Sequence, residues 1–253
     1  MIPKIIHYCW LSDDPIPADM SRYMDSWKSK LKDYQFIKWD LKRFPKESSI
    51  WVSEAFDSKK YAFAADYIRL YAVYHYGGIY LDMDVEVLRA FDKLLDQPYM
   101  IAVEDEERTK IEAGCFGAEA GNEFIEKCLA YYHNRHFILK DGLFDTLVLS
   151  KIMMKILKEN HFNINIYSWQ YFTAKSWFTG KECPTDETYA VHHFKGSWRS
   201  EEEQYYLAKR ASLCRFLPYG IAHKIARIDS TLTFNNFRTA VPILLKRIRN
   251  KTQ

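Results

Sequence analysis

Asp82-Met83-Asp84 is the first place in this chain where residue type and spacing suggest chemistry. Two carboxylates held close on a rigid element suit a hard divalent cation that also carries phosphate oxygens. An acidic-x-acidic triplet is weak by itself, since Asp84-Val85-Glu86 is another, and for the bare triplet a solvated strand face is the better explanation. The surroundings change the balance. Ile79, Leu81, Met83, Val85 and Val87 alternate with Tyr80, Asp82, Asp84 and Glu86. That pattern predicts a strand over 79–88 with one apolar face and a second face presenting both carboxylates, roughly 7 Å apart.

Asp66 and Arg69 stand three residues apart, so on a helix they share a face. A surface salt bridge would explain the pair. However, Ala62, Phe63, Ala64, Ala65, Ile68, Leu70, Ala72 and Val73 make this helix apolar nearly all round. Such a helix is buried, and charges on it must be paired or functional. His192 and His193 close an apolar strand, where neighbours point to opposite faces. At most one of them faces a given site, and a neutral imidazole can complete a coordination sphere begun by carboxylates. Tyr8 and Trp10 end a first apolar strand, a position where a base or ribose can sit; core packing is the competing explanation.

The elements that position these residues follow from periodicity and turn signals. Strands are expected over 4–10, 34–39, 79–88, 99–103, 112–120, 164–172 and 189–194. Helices are expected over 18–32, 49–58, 60–76, 122–135 and 143–158, the third stopped by Gly77. Strands alternating with helices predict an α/β fold with a mostly parallel central sheet flanked by helices.

The 253 residues suit one sizeable domain with an appendage. The net charge of +3 hides an asymmetry. From Gln204 onward ten Lys or Arg face one acid, Asp229, so this part is +9, and residues 1–203 are −6. The division expected is therefore 1–203 and a basic, amphipathic helical extension over 204–253. The acidic body argues against nucleic-acid binding there. The extension suits either an anionic bilayer or a solvated tail lying on the acidic body. Five widely spaced cysteines without C-x-x-C indicate neither a disulfide framework nor a zinc site. With no signal-peptide pattern, a cytoplasmic location is expected, at the inner face of the plasma membrane if the extension binds lipid.

Four blocks in this order resemble glycosyltransferase family 32, sugar transferases with a DXD motif. They are Ile-Pro-Lys-Ile-Ile-His-Tyr-Cys-Trp (2–10), the stretch from Ala64 to Asp84, Gly-Cys-Phe-Gly-Ala (114–118) and Val-His-His-Phe-Lys-Gly-Ser-Trp (191–198). The family includes fungal initiating mannosyltransferases, animal α-1,4-galactosyltransferases and bacterial capsule or lipopolysaccharide transferases. The resemblance implies a GT-A, Rossmann-like fold, a UDP- or GDP-sugar donor, Mn²⁺ or Mg²⁺, and retention of anomeric configuration. It makes Asp84 a metal ligand, with Asp82 contacting ribose and metal. Asp66 and Arg69 would hold the transferred sugar and the diphosphate. Tyr8 and Trp10 would lie near the nucleotide, and Ser197 and Trp198 would close over the diphosphate. The late histidine ligand would be His192, with His193 as second choice. The resemblance stops near residue 200. The function expected is hexose transfer to a glycan or lipid-linked acceptor in surface polysaccharide synthesis. The alternatives are another divalent-metal nucleotide enzyme, such as a nucleotidyltransferase, and a non-catalytic module using the basic extension. The first lacks the usual Gly-rich phosphate loop, and the second lacks a basic-aromatic surface before residue 204.

Overall fold

Short apolar segments rich in Ile, Tyr, Phe and Val pair into a five-stranded sheet in the computed structural model, which describes residues 1–162, 164–196, 200–235, 239 and 242. The strands are β1 (Ile5–Cys9), β2 (Gln35–Trp39), β3 (Gly78–Leu81), β5 (Tyr99–Met100) and β6 (Cys115–Ala118). Their order is β2-β1-β3-β6-β5. β1 is parallel to both neighbours, and β6 runs antiparallel between β3 and β5. Four of the five strands therefore share one direction, and the expected mixed α/β fold with a mostly parallel central sheet is borne out. A separate two-stranded ladder joins β4 (Val85–Val87) to β7 (Ala190–His192).

Contacts divide the chain into two units, residues 1–175 with 182–194, and residues 176–181 with 195–253. In the first unit the sheet is covered on both faces. Ile6, Ile79, Leu81 and Cys115 face a core that also contains Trp27 and Leu31, the former from α1 (Ala18–Lys30). Cys9, Tyr80, Phe116 and Ala118 face the larger core. That core is built by α2 (Ile50–Asp57), α3 (Tyr61–Tyr76), α4 (Glu123–Ala130) and α5 (Leu149–Glu159). Period-two alternation in β3 is thus real, but both faces are dry, as expected for a central strand under helices.

Gly77 ends α3 with φ +63°, its N–H donating to the Val73 carbonyl at 2.9 Å. Gly78 follows at φ +104°, and a Cβ there would lie 2.6 Å from the Ile5 carbonyl oxygen. Two residues without side chains let a buried helix turn straight into the central strand, close against β1.

Three expectations are corrected. The strand over 79–88 is broken at Asp82-Met83-Asp84, where Val85 N–H bonds the Asp82 carbonyl at 3.0 Å and the chain leaves the main sheet for the β4–β7 ladder. The helix expected from residue 143 begins at Leu149, because Phe137–Asp145 forms its own bonds, Leu139 N–H to Leu143 and Asp145 N–H to Phe137. The strand expected over 164–172 reduces to a single bridge, Tyr167 to Ala102, before turns close on the Trp169 carbonyl.

The second unit contains α6 (Glu201–Leu213) and α7 (Tyr219–Phe234). The Ser200 side chain caps α6 by accepting the Glu203 N–H, and three glutamates fill its first turn. Tyr206 meets His223 at 2.7 Å, and Tyr205 and Lys209 meet Asp229 at 2.8 and 3.1 Å. These pairs hold the helices as an antiparallel hairpin.

Candidate metal and sugar-donor site

The carboxylates of Asp82 and Asp84 come together through a turn. Asp82 leaves the end of β3, its N–H bonded to the Gly114 carbonyl at 2.7 Å. Its Oδ1 accepts from the Tyr80 hydroxyl at 2.9 Å, and its Oδ2 meets Arg69 Nη1 at 3.2 Å. Both oxygens are thereby oriented, while the side chain keeps 26% exposure. Asp84 is nearly buried, and its carbonyl accepts the His193 N–H at 3.0 Å.

The β4–β7 register sets Val85 opposite His192. That pairing carries the imidazole across a long sequence separation to the acidic turn, and His192 Nε2 lies 3.3 Å from Asp84 Oδ1. One ligand atom from each of Asp82, Asp84 and His192 lies within 4.8 Å of the others. Two carboxylate oxygens and one imidazole nitrogen on a partly exposed rim are a donor set that fits a divalent cation with positions left for phosphate and water. The other edge of β4 is held by α1. Trp27 Nε1 donates to the Val85 carbonyl at 2.7 Å, and Val87 N–H donates to Ser26 Oγ at 2.9 Å. The turn between two anchored strands is therefore stiff.

Behind Asp82, α3 presents Asp66 and Arg69 from a buried face. Arg69 Nη2 meets Asp66 Oδ1 at 3.3 Å, its Nη1 donates to the Ala113 carbonyl at 2.8 Å, and its guanidinium lies 4.6 Å from the centre of the Tyr80 ring. Arg69 thus joins two carboxylates, a carbonyl and an aromatic face in one buried cluster. Burial drives the Asp66 carboxyl up to about 7, with Arg69 opposing and Asp82 adding to the rise.

His192 is held from behind. Its Nδ1 lies 2.9 Å from Glu112 Oε1. Burial disfavours its charged form, but Glu112 and Asp84 outweigh that and hold it well above its ordinary value. Glu112 in turn is held below the usual carboxylate range, His192 overcoming the burial that would raise it. A Cβ on Gly114 would stand 2.6 Å from His192 Cε1 and 2.9 Å from Asp82 Oδ2, so only glycine fits there.

Asp66, Arg69, Asp82, Asp84 and His192 are therefore brought together. His193 is not. It lies between Glu86 at 3.0 Å and Glu182 at 3.3 Å, stacked on Tyr23 at 4.5 Å. Tyr8 packs against Trp27 at 5.7 Å, and Trp10 donates from Nε1 to the Asp14 carbonyl at 2.8 Å. Both stand at the carboxyl end of β1, the neighbour of β3. Ser197 and Trp198 lie outside the described residues. Glu112, Gly114 and Thr173 were not singled out by sequence reasoning as site residues. A lone acid inside the apolar run Ile111 to Ala118 was the available signal for Glu112.

Residues 17–101 match the family described as "Glycosyltransferase sugar-binding region containing DXD motif". The matched region contains Asp66, Arg69, Asp82 and Asp84, and the resemblance drawn from the sequence blocks is borne out there. Inositol phosphoceramide mannosyltransferase 3 of Schizosaccharomyces pombe is 36% identical over 101 residues, 38% of this chain and 28% of the relative. Inositol phosphoceramide mannosyltransferase 1 of the same organism is 33% identical over 107 residues, 40% of this chain and 33% of the relative. Mannosyl phosphorylinositol ceramide synthase SUR1 of Saccharomyces cerevisiae is 35% identical over 102 residues, 39% of this chain and 26% of the relative. The matches thus span no more than a third of the length of these relatives. A solved structure described as PaToxG Glycosyltransferase aligns with a TM-score of 0.48 and 18% identity, covering 63% of this chain and 70% of that one.

Proposed function

We propose that residues 1–203 form a metal-dependent, retaining hexosyltransferase domain that uses a nucleoside-diphosphate sugar. The observation that supports this most is the meeting of Asp82, Asp84 and His192 beside the buried Asp66–Arg69 pair. The divalent cation, Mn²⁺ or Mg²⁺, would supply charge neutralisation for the departing diphosphate.

The chain's own residues do the rest. Tyr80 and Arg69 orient Asp82, so the acidic turn is ready before the donor arrives. Arg69 keeps two carboxylates compatible at close range and adds positive potential where diphosphate charge grows. Asp66, whose carboxyl burial raises to about 7, offers its oxygens as hydrogen-bond partners to sugar hydroxyls. No carboxylate is identified as a nucleophile, so front-face substitution is the reading taken. The bond from the anomeric carbon to the diphosphate oxygen breaks, the acceptor oxygen takes its place on the same face, and the diphosphate oxygen takes the acceptor's proton.

The acceptor in this reading is lipid-linked, whether an inositol phosphoceramide, as the fungal relatives' names print it, or a carrier in surface polysaccharide synthesis. Support comes from α7, where Ile221, Ile225, Ile228 and Leu232 are 50%, 41%, 48% and 45% exposed at helical spacing. Ten bases and one acid from residue 204 onward add affinity for an anionic surface, here the inner face of the plasma membrane. Among the described residues no helix is long and apolar enough to cross a membrane. Flotation with anionic vesicles and its loss in I225D/I228D is the expected result; no binding, or equal binding to neutral lipid, removes this part.

Mn²⁺-dependent release of nucleoside diphosphate from UDP- and GDP-sugars without acceptor tests the reaction. Asp84→Ala should abolish it. Retained release in that variant would place the chemistry elsewhere.

A further inference from the structure

Glu112 is fully buried, and the reaction scheme above gives it no task. Its carboxylate is nonetheless committed in three directions. Oε1 faces His192 Nδ1 at 2.9 Å and accepts the Gly114 N–H at 2.7 Å, while Oε2 accepts from Thr173 Oγ1 at 2.6 Å. Thr173 also reaches the histidine through its backbone, its carbonyl accepting the His192 N–H at 3.0 Å. The imidazole is therefore gripped through its ring by Glu112 and through its backbone by Thr173, with Phe194 stacked on it at 4.1 Å.

A buried acid paired with a buried base adds little stability over an apolar pair of the same size. The arrangement has a different geometric consequence. A carboxylate on Nδ1 keeps a proton on that nitrogen and directs Nε2, the atom 3.3 Å from Asp84, at the acidic turn, where a cation can take the place of the Nε2 proton. Outer carboxylates of this kind orient imidazole ligands and raise their basicity.

We propose that Glu112 is a positioning residue. Through its contact with Nδ1 it fixes the tautomer and ring direction of His192, so that Nε2 is presented with Asp82 and Asp84 to a divalent cation. This rests on the reading of those three residues as metal-holding. Thr173 and the Gly114 N–H fix Glu112 in turn, which extends the site one layer inward from the acidic turn.

The test measures Mn²⁺ binding directly, by the electron paramagnetic resonance signal of free Mn²⁺ titrated against the full chain without donor. Glu112→Gln, His192→Ala and the double variant form a cycle, with thermal unfolding as a check on folding. Glu112→Gln should weaken Mn²⁺ binding about 10- to 100-fold, and the loss should vanish in the His192→Ala background. Thr173→Val, which removes the 2.6 Å bond to Oε2, should weaken binding several-fold and supplies a second probe if Glu112→Gln does not fold. Unchanged binding in Glu112→Gln overturns the proposal. An equal loss with and without His192 also overturns it, because Glu112 would then act only as buried structure. If His192→Ala itself binds Mn²⁺ like the parent, the metal reading of His192 fails and the proposal goes with it.

Discussion

Arg69 and Asp82 meet at 3.2 Å across the junction of a helix and a strand, and only Asp82 retains appreciable exposure. The arginine is thus a fixed counter-charge behind the one site carboxylate that a ligand can reach readily. Arg69→Lys should fail here, because an ammonium cannot serve Asp66, Asp82 and the Ala113 carbonyl together. We expect a stability loss on the order of 3 kcal/mol in denaturant melts. Mn²⁺-dependent donor hydrolysis should fall at least about 100-fold. Parent-like hydrolysis in a folded Arg69→Lys protein would remove Arg69 from the site.

Gly114 separates His192 from Asp82 by its missing side chain. Gly114→Ala inserts a methyl where 2.6 Å remains to the imidazole, so the histidine must move. The expected cost is about 1–3 kcal/mol, accompanied by weaker Mn²⁺ binding. A variant that binds Mn²⁺ like the parent would show that the close fit has no bearing on metal affinity.

His7 couples stability to acid. Trp39 Nε1 donates to its Nδ1 at 3.1 Å, and its Nε2 bonds the Gly77 carbonyl at 2.7 Å, so the neutral ring is fully used. Burial lowers its pKa from 6.5 to about 4, the Gly77 carbonyl opposing and Arg43 adding to the fall. The unfolded chain takes up a proton near pH 6.5 that the folded chain refuses until about pH 4. This contribution is therefore present above pH 6.5 and is lost as pH falls through that window, on the order of 3 kcal/mol. Denaturant midpoints at pH 7, 5 and 4 should show the step, and His7→Gln should flatten it.

Asp66 acts with the opposite sign. Its folded pKa is raised to about 7 from 3.8, mainly by burial. The folded chain holds a proton that the unfolded chain has released, so the favourable contribution is full below pH 4 and is lost as pH rises through 7. Asp66→Asn should gain stability relative to the parent as pH rises from 4 to 7.5. A constant difference across that range would contradict the assignment.

Much of this site was legible because burial leaves marks in sequence. The apolar wheel around Asp66 and Arg69 announced a dry helix, and both residues are indeed among its buried positions. The nearness of Asp82 and Asp84 was anticipated for a different reason. Alternation placed them on one strand face with Tyr80, whereas a turn brings them together; Tyr80 stays beside Asp82 through its hydroxyl while its ring packs in the core. The helix expected over 143–158 started too early: Leu143, Phe144 and Leu147 are exposed, since amide bonds around Phe137 and Asp145 claim that segment. Glu112 carried a signal as the lone acid in an apolar run, but its partner, a histidine eighty residues away, was not legible from that signal.

The β4–β7 ladder has only three residue pairs, yet it alone sets His192 opposite Val85, beside the acidic turn. Asp82 and Asp84 leave the ribosome roughly 110 residues ahead of His192, an interval of about 5–20 s at ordinary elongation rates. The acidic turn thus spends that interval as a two-carboxylate fragment, and the three residues can meet only when β7 closes the ladder. In the proposed reading, the third ligand of the metal site thus depends on a ladder that cannot form until residues 190–192 have been made.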